Sequence, residues 1–186
     1  TGCAVAAGGQ FQLLYTGIPH LDPLRQVQCL ASSADLVSWE KFPGNLVIGE
    51  PPPGFGQCFR DPCAWRDADG WWMVIGSELP ERKGGAALLY RSPDLLHWEY
   101  LHPLFAGSTG ETGHEFECPD FFPLGGGHVL LTSCGKTWWH TGLYTDRRFT
   151  RTRWGAVDGG ALYAAKTALD DRGRRILWGL SLIHIS

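Results

Sequence analysis

The sequence predicts an all-β protein built as a β-propeller. Three observations predict this fold: short strand-like segments separated by turns, the absence of long α-helical periodicity, and a weak internal repeat. The segment SADLVSWE at 33–40 recurs as SPDLLHWE at 92–99. A repeat of about 60 residues is typical of four-stranded propeller blades. A β-sandwich would also give short strands and turns, but it would not explain the repeat.

The predicted strands follow in order along the chain. Apolar runs at 27–30 and 86–90 precede the two copies of the repeat. Between the copies, GWWMVIGS at 70–77 is predicted to be a strand because it follows the turn signal Asp69-Gly70. A similar unit follows Gly126-Gly127, with strands predicted at 128–133 and 141–145. We expect a degraded third copy of the repeat near Phe149 and Trp154.

The composition favours a small polar ligand. The net charge is −3 and the basic residues form no long run, which argues against nucleic acid or an anionic membrane surface as a partner. No apolar run reaches the roughly 18 residues that a membrane span needs. A neutral polar ligand such as a sugar fits this balance better.

The cysteines form neither a CxxC pair nor a compact Cys/His cluster, so neither a zinc site nor a disulfide framework is expected. We predict mostly free, buried thiols. They are Cys3, Cys29, Cys58, Cys63, Cys118 and Cys134.

Two segments place charged groups among residues that should be buried. They are GFGQCFRDPCAW at 54–65 and HEFECPDFFPL at 114–124. Carboxylates are rarely buried unless they are paired or functional. Because the inner strands of successive blades face one channel, Asp61 and Glu117 are predicted to project into a common pocket. The alternatives are a surface pair of Arg60 with Asp61, a solvated Glu117 and a turn-capping Asp120.

These two segments resemble the RDP and EC motifs of glycoside hydrolase family 32, which contains invertases, inulinases, levanases and sucrose-6-phosphate hydrolases. Further similar segments occur in the family's order, so the resemblance covers nearly all of residues 2–179. They lie at 2–17, 70–77, 88–104 and 158–179.

The resemblance implies a five-bladed β-propeller, of which residues 1–179 form a partial catalytic domain of about three blades. The start of the first blade and the last blades are expected to be missing. Residues 180–186, LSLIHIS, are expected to be a non-native tail derived from a sequencing adapter.

The resemblance also implies roles for individual residues. Glu117 would be the general acid/base and Asp61 the transition-state stabiliser, with Arg60 orienting the carboxylates or the sugar. Further substrate-binding candidates are Asp120, Tyr163, Lys166 and Trp72. The family's nucleophile lies in a WMNDPNG-like motif, and no such string occurs here. We therefore expect these residues alone to be inactive. The mechanism needs neither a metal nor another cofactor.

The expected activity is the release of fructose from terminal non-reducing β-D-fructofuranosides, such as sucrose and fructans, by retaining double displacement. Three alternatives remain open: fructosyl transfer to an acceptor sugar, a non-catalytic sugar-binding propeller, and a five-bladed glycosidase acting on arabinan or xylan.

Overall fold

The computed structural model describes residues 1–20, 22 and 24–182. It contains three four-stranded antiparallel sheets followed by a two-stranded sheet. The first sheet comprises β1 (Gly2–Ala7), β2 (Gln10–Gly17), β3 (Val27–Ser33) and β4 (Glu40–Lys41). The second comprises β5 (Phe59–Asp67), β6 (Gly70–Glu78), β7 (Gly85–Ser92) and β8 (Glu99–Ala106). The third comprises β9 (Glu117–Leu124), β10 (Gly127–Cys134), β11 (Lys136–Thr145) and β12 (Arg148–Ala156), and the last pairs β13 (Leu162–Leu169) with β14 (Arg175–Ser181).

The sheets are blades arranged around a channel. Within each four-stranded sheet the strands follow one another in sequence order, and the first strands β1, β5, β9 and β13 contact one another in turn. The helices that the structure describes within residues 1–181 are short: α1 (Thr109–Thr112) and a 3₁₀ turn at Pro80–Arg82. The prediction of an all-β propeller arc is confirmed. Two strands of a fourth blade extend the expected arc of about three.

The internal repeat forms the same loop in the first two blades, between the third and fourth strands. In the first copy, Ser33 donates to Asp35, which in turn accepts the backbone N–H groups of Val37 and Ser38. Ser92 and Asp94 make the matching hydrogen bonds in the second copy. Short polar side chains that bind the backbone two or three residues on are favoured in such turns. The repeated sequence therefore encodes a turn.

The third blade does not form this loop. Its last two strands are joined at Asp146 and Arg147, both with positive φ. Phe149 and Trp154, where a degraded third copy was expected, lie inside β12. That expectation was wrong, because a two-residue hairpin turn replaces the longer polar loop.

Both faces of β6 are buried, which explains its continuous apolar sequence. Met73 and Ile75 belong to the core on one side of the second blade, whereas Trp72 and Val74 belong to the core on the other side. Successive side chains of a strand point to opposite faces, so a strand covered by neighbouring blades on both sides needs apolar residues at every position. The predicted strand 70–77 lies within β6. The six cysteines are free, and four of them are buried, whereas Cys3 and Cys134 are partly exposed.

Gly76 allows the segment before β9 to approach β6 closely. The backbone N–H of Phe116 donates to the carbonyl oxygen of Ser77 at 3.0 Å. A Cβ atom on residue 76 would meet the carbonyl oxygen of Phe116 at only 2.1 Å. Since Phe116 directly precedes Glu117, this contact sets the position at which β9 begins.

We expect Gly76→Ala to lower the free energy of unfolding by about 1–3 kcal/mol, because the added methyl group forces the two backbones apart. Urea denaturation followed by tryptophan fluorescence measures the change. The control is Gly110→Ala, where a Cβ atom would meet nothing within 4 Å. It should stay within about 0.5 kcal/mol of the parent protein. Equal stabilities of the two variants would contradict the proposed close approach.

The C-terminal prediction is not tested by the structure. Leu180 and Ser181, the first residues of the expected tail, belong to β14 and pair with Tyr163 and Leu162. Leu182 follows, and residues 183–186 lie outside the described residues. The non-native origin of the tail stays a prediction. Among the described residues, none of the helices has the length and apolar character required to cross a bilayer.

Candidate active site

Three successive inner strands carry the same irregularity near their N-terminal ends. The pairing register shifts between Arg60 and Cys63 where β5 pairs with β6, and between Glu117 and Asp120 where β9 pairs with β10. It also shifts between Tyr163 and Lys166 where β13 pairs with β14. β-Bulges of this kind bend a strand and redirect its side chains, often beside active sites. Each bulge contains one residue with a left-handed φ, namely Asp61 at 63°, Cys118 at 48° and Ala164 at 54°.

The three side chains that precede the left-handed positions meet at the carboxyl group of Glu117. These residues are Arg60, Glu117 and Tyr163. Arg60 Nη2 donates to Glu117 Oε1 at 2.7 Å. The Tyr163 hydroxyl donates to Glu117 Oε2. Each carboxylate oxygen of Glu117 therefore has its own donor, one from each neighbouring blade.

Asp61 is fixed between three strands. Its residue is 3% exposed, and its Oδ2 accepts the Cys118 backbone N–H at 2.9 Å. Its Oδ1 lies 2.6 Å from the backbone nitrogen of Thr1, and its own N–H donates to Thr16 Oγ1 at 2.8 Å. Because Cys118 follows Glu117, these bonds hold the two predicted carboxylates on adjacent inner strands.

The surroundings act differently on the two carboxyl groups. Burial raises the pKa of Glu117; Arg60 opposes this effect, whereas the charges of Glu115 and Asp61 add to it. Burial also acts to raise the pKa of Asp61, whereas the hydrogen bond from the Cys118 N–H acts to lower it. A carboxyl group with a raised pKa beside a carboxylate held by a backbone N–H suits the first to donate a proton and the second to accept hydrogen bonds.

The model of the glycosyl hydrolases family 32 N-terminal domain matches residues 1–182. The chain belongs to glycosyl hydrolase family 32. The resemblance seen in the RDP-like and EC-like motifs is thus confirmed.

Curated relatives and solved structures agree with membership of family 32. The sucrose-6-phosphate hydrolase of Escherichia coli is 43% identical over 139 residues, covering 72% of this chain and 28% of that protein. The sucrose-6-phosphate hydrolase of Bacillus subtilis (strain 168) is 34% identical over 199 residues, covering 96% of this chain and 41% of that protein. The chain therefore spans less than half the length of either relative.

A solved structure shows the same arrangement of strands. The GH32 β-fructofuranosidase of Bombyx mori superposes with a TM-score of 0.84 at 36% sequence identity, covering 96% of this chain and 42% of that chain. A mutant of that enzyme was solved in complex with sucrose. The five-bladed propeller expected for family 32 is thereby supported, with this chain forming part of it.

Two predicted substrate-binding residues of this family 32 chain lie one step further along the inner strands. Asp120 Oδ1 accepts the Cys63 thiol at 3.3 Å, and its Oδ2 accepts the Thr167 hydroxyl at 2.6 Å. Lys166 Nζ donates to the Pro119 carbonyl oxygen at 2.7 Å. Both side chains therefore link neighbouring inner strands, and substrate contact by either stays a prediction.

A separate cavity lies towards the opposite ends of the same strands. Its volume is about 670 Å³, and Asp120, Thr167 and Phe121 are among its lining residues. Arg60, Asp61 and Glu117 do not line this cavity. The predicted site residues are thus divided between two levels of the channel.

Trp72 is not brought to Glu117. It is 3% exposed and belongs to the core between the second and third blades. Its indole N–H donates to Asp69 Oδ1 at 3.2 Å, and the Arg147 guanidinium lies 4.1 Å from its ring centroid. The physical reason is its position near the start of β6, opposite Trp65 and away from the bulge of β5. Sugar stacking by Trp72 stays an untested prediction.

Sequence reasoning missed two residues of the site. Glu115 Oε2 accepts a hydrogen bond from Arg60 Nη2 at 2.9 Å. Its signal was available, because it is a second carboxylate only two residues before Glu117. Thr16 in β2, which accepts the Asp61 N–H, carries no comparable signal.

No group of three or more His, Cys, Asp or Glu side chains within residues 1–20, 22 and 24–182 is placed to hold a metal ion. The arrangement around Glu117 offers proton transfer and hydrogen bonding.

Proposed function

We propose that the protein releases fructose from terminal non-reducing β-D-fructofuranosides by retaining double displacement. Glu117 is the general acid/base and Asp61 the transition-state stabiliser. One observation carries this proposal: Glu117, a half-buried carboxyl group with a raised pKa, lies on the inner strand next to the buried Asp61, whose Oδ2 accepts the N–H of Cys118, the residue after Glu117. The relatives support the substrate class, since they are sucrose-6-phosphate hydrolases and a β-fructofuranosidase solved in complex with sucrose.

Glu117 is suited to move a proton in both halves of the reaction. In the first half, its protonated carboxyl group donates to the glycosidic oxygen while the bond between that oxygen and the fructosyl anomeric carbon breaks. In the second half, the resulting carboxylate takes a proton from the water that attacks the fructosyl-enzyme. Arg60 and Tyr163 hold one oxygen each, so the carboxyl group keeps its orientation in both steps.

Asp61 acts as a fixed acceptor. Its buried carboxylate is oriented by the Cys118 N–H, and this hydrogen bond favours its charged form. Hydrogen bonds from fructosyl hydroxyl groups to this carboxylate would tighten as positive charge develops on the ring. Asp61 therefore stabilises the oxocarbenium-like transition state.

The retaining route also needs a nucleophilic carboxylate about 5–5.5 Å from the acid/base. The 186 residues contain no WMNDPNG-like string, and we assign the nucleophile to none of their aspartates. We propose that these residues alone release no fructose. The assays below therefore use the full-length protein that contains this chain.

The decisive experiment incubates the full-length protein with sucrose, sucrose 6-phosphate and inulin and measures free fructose. We expect fructose from at least one of them, with β-fructofuranose as the first anomer detected by NMR, because double displacement retains configuration. Sugar binding without turnover would contradict the enzyme and favour a binding propeller. Cleavage of arabinan or xylan without fructose release would favour the arabinan-type alternative, and oligosaccharide formation with little free fructose would identify a transferase.

A further inference from the structure

Glu115 shares a single donor atom with the proposed acid/base. Arg60 Nη2 donates to Glu115 Oε2 at 2.9 Å and to Glu117 Oε1 at 2.7 Å. The side chains of Arg60, Glu115 and Glu117 are 23%, 21% and 23% exposed. Two negatively charged carboxylates of similar, low exposure therefore share one nitrogen of the Arg60 guanidinium.

Competition for one cation weakens its effect on each partner. A guanidinium that faced Glu117 alone would stabilise its carboxylate and favour loss of the proton. With Glu115 on the same nitrogen, part of that stabilisation goes to Glu115, and the second negative charge disfavours ionisation of Glu117. The partly buried setting increases this effect, since charges at low exposure are screened less by water.

Glu115 is itself held in place. Its Oε1 lies 3.3 Å from His114 Nε2, and it interacts with the buried Cys58 thiol. Glu111, the next acidic residue along this segment, pairs instead with Arg151 in β12, where Nη2 contacts Oε1 at 2.9 Å. Glu115 therefore shares Arg60 with Glu117, whereas Glu111 in the same segment pairs with a different arginine.

We propose that Glu115 is a positioning residue that holds Arg60 between two carboxylates and so keeps the proton on Glu117. This inference deepens the proposed function and rests on it for its kinetic consequence. Other titratable groups also face this cluster from β5, from β13 and from the segments that precede β5 and β9. They are Asp61, Tyr163, Cys58 and His114. The test must therefore change Glu115 without altering these groups.

Glu115→Gln in the full-length protein keeps the shape and one oxygen acceptor but removes the charge. The alkaline limb of the kcat/KM profile for sucrose reports the acid in the free enzyme. We expect its pKa to fall by about 0.5–1 unit, since one like charge is removed. Glu115→Asp retains the charge, so the pKa of its alkaline limb should lie closer to the parent value than that of Glu115→Gln. The control Glu111→Gln should leave it unchanged.

A direct titration separates this inference from the activity. The ¹³C carboxyl resonance of Glu117, assigned by its loss in Glu117→Gln, is followed against pH in the parent protein and in Glu115→Gln. A lower Glu117 pKa in the variant supports the proposal even if no fructoside is cleaved. Identical Glu117 titrations would overturn it. If Glu115→Gln does not fold by circular dichroism, the comparison moves to Glu115→Ala and Glu115→Asp, and equal Glu117 pKa values in those two variants would overturn the proposal.

Discussion

The variant Glu117→Gln of the full-length protein is expected to lose fructose release from sucrose by about 100- to 10,000-fold in kcat, with a small change in KM. Glutamine keeps the acceptor for Arg60 and the shape of the side chain but cannot donate a proton to the leaving oxygen. Steady-state kinetics with sucrose measures the loss. The alkaline limb of the pH profile that reports the raised pKa of Glu117 should disappear with it.

Two comparisons isolate this acid role. An aryl fructoside with a good leaving group needs little protonation, so the fructosyl-transfer step should be slowed much less than with sucrose. Glu111→Gln removes a carboxylate that also pairs with an arginine, Arg151, but lies outside the Glu117 cluster. The Glu111→Gln variant should retain activity on sucrose. Turnover of sucrose by Glu117→Gln within a factor of about three of the parent enzyme would rule out the assigned role.

Asp61→Asn is expected to lower kcat/KM for sucrose by about 100- to 1,000-fold, because a neutral amide stabilises the developing positive charge poorly. The backbone at residue 61 has φ of 63°, and asparagine tolerates this left-handed conformation as well as aspartate does. The fold should therefore persist. The amide oxygen can still accept the Cys118 N–H, but the amide nitrogen then faces the Thr1 nitrogen, which is also a donor.

The matched control for Asp61→Asn is Asp170→Asn. Asp170 also accepts backbone N–H groups, those of Arg172 and Arg174, but it lies in the β13–β14 turn. We expect parent-like kinetics for Asp170→Asn, and circular dichroism of both variants checks that each is folded. A fully active Asp61→Asn enzyme would remove Asp61 from the mechanism. The alkaline limb of the pH profile of Asp61→Asn should move to lower pH, because the negative charge of Asp61 helps to raise the pKa of Glu117.

Sequence patterns predicted the blades because their physical causes are local. The apolar run of β6 reflects burial on both faces, and the repeated Ser-x-Asp pattern reflects side-chain hydrogen bonds to the nearest backbone groups. The meeting of β5 with β9 was predicted for a similar reason: the segments at 54–65 and 114–124, which carry Asp61 and Glu117, precede a strand-like run at a similar point in the repeat. One blade-to-blade step then brings them together.

The bulges and the lateral contacts were not predictable in this way. Cys118 and Ala164 adopt left-handed φ values although neither residue type favours them, so the register of the neighbouring strands imposes this conformation. The contact between Thr16 and Asp61 depends on how two blades pack and has no counterpart in local sequence. Likewise, an apolar run does not reveal which of its residues face a site, and Trp72 lies in the core for that reason.

The three repeated bulges give the site a modular design. Strand register supplies the backbone conformation, so the side chains at positions 60, 117 and 163 can differ in charge and size while their directions stay the same. Positions 60 and 163 flank Glu117 from either side. Variants at these two codons would therefore remove one donor to Glu117 at a time on an unchanged strand scaffold, which separates the contribution of each neighbouring blade.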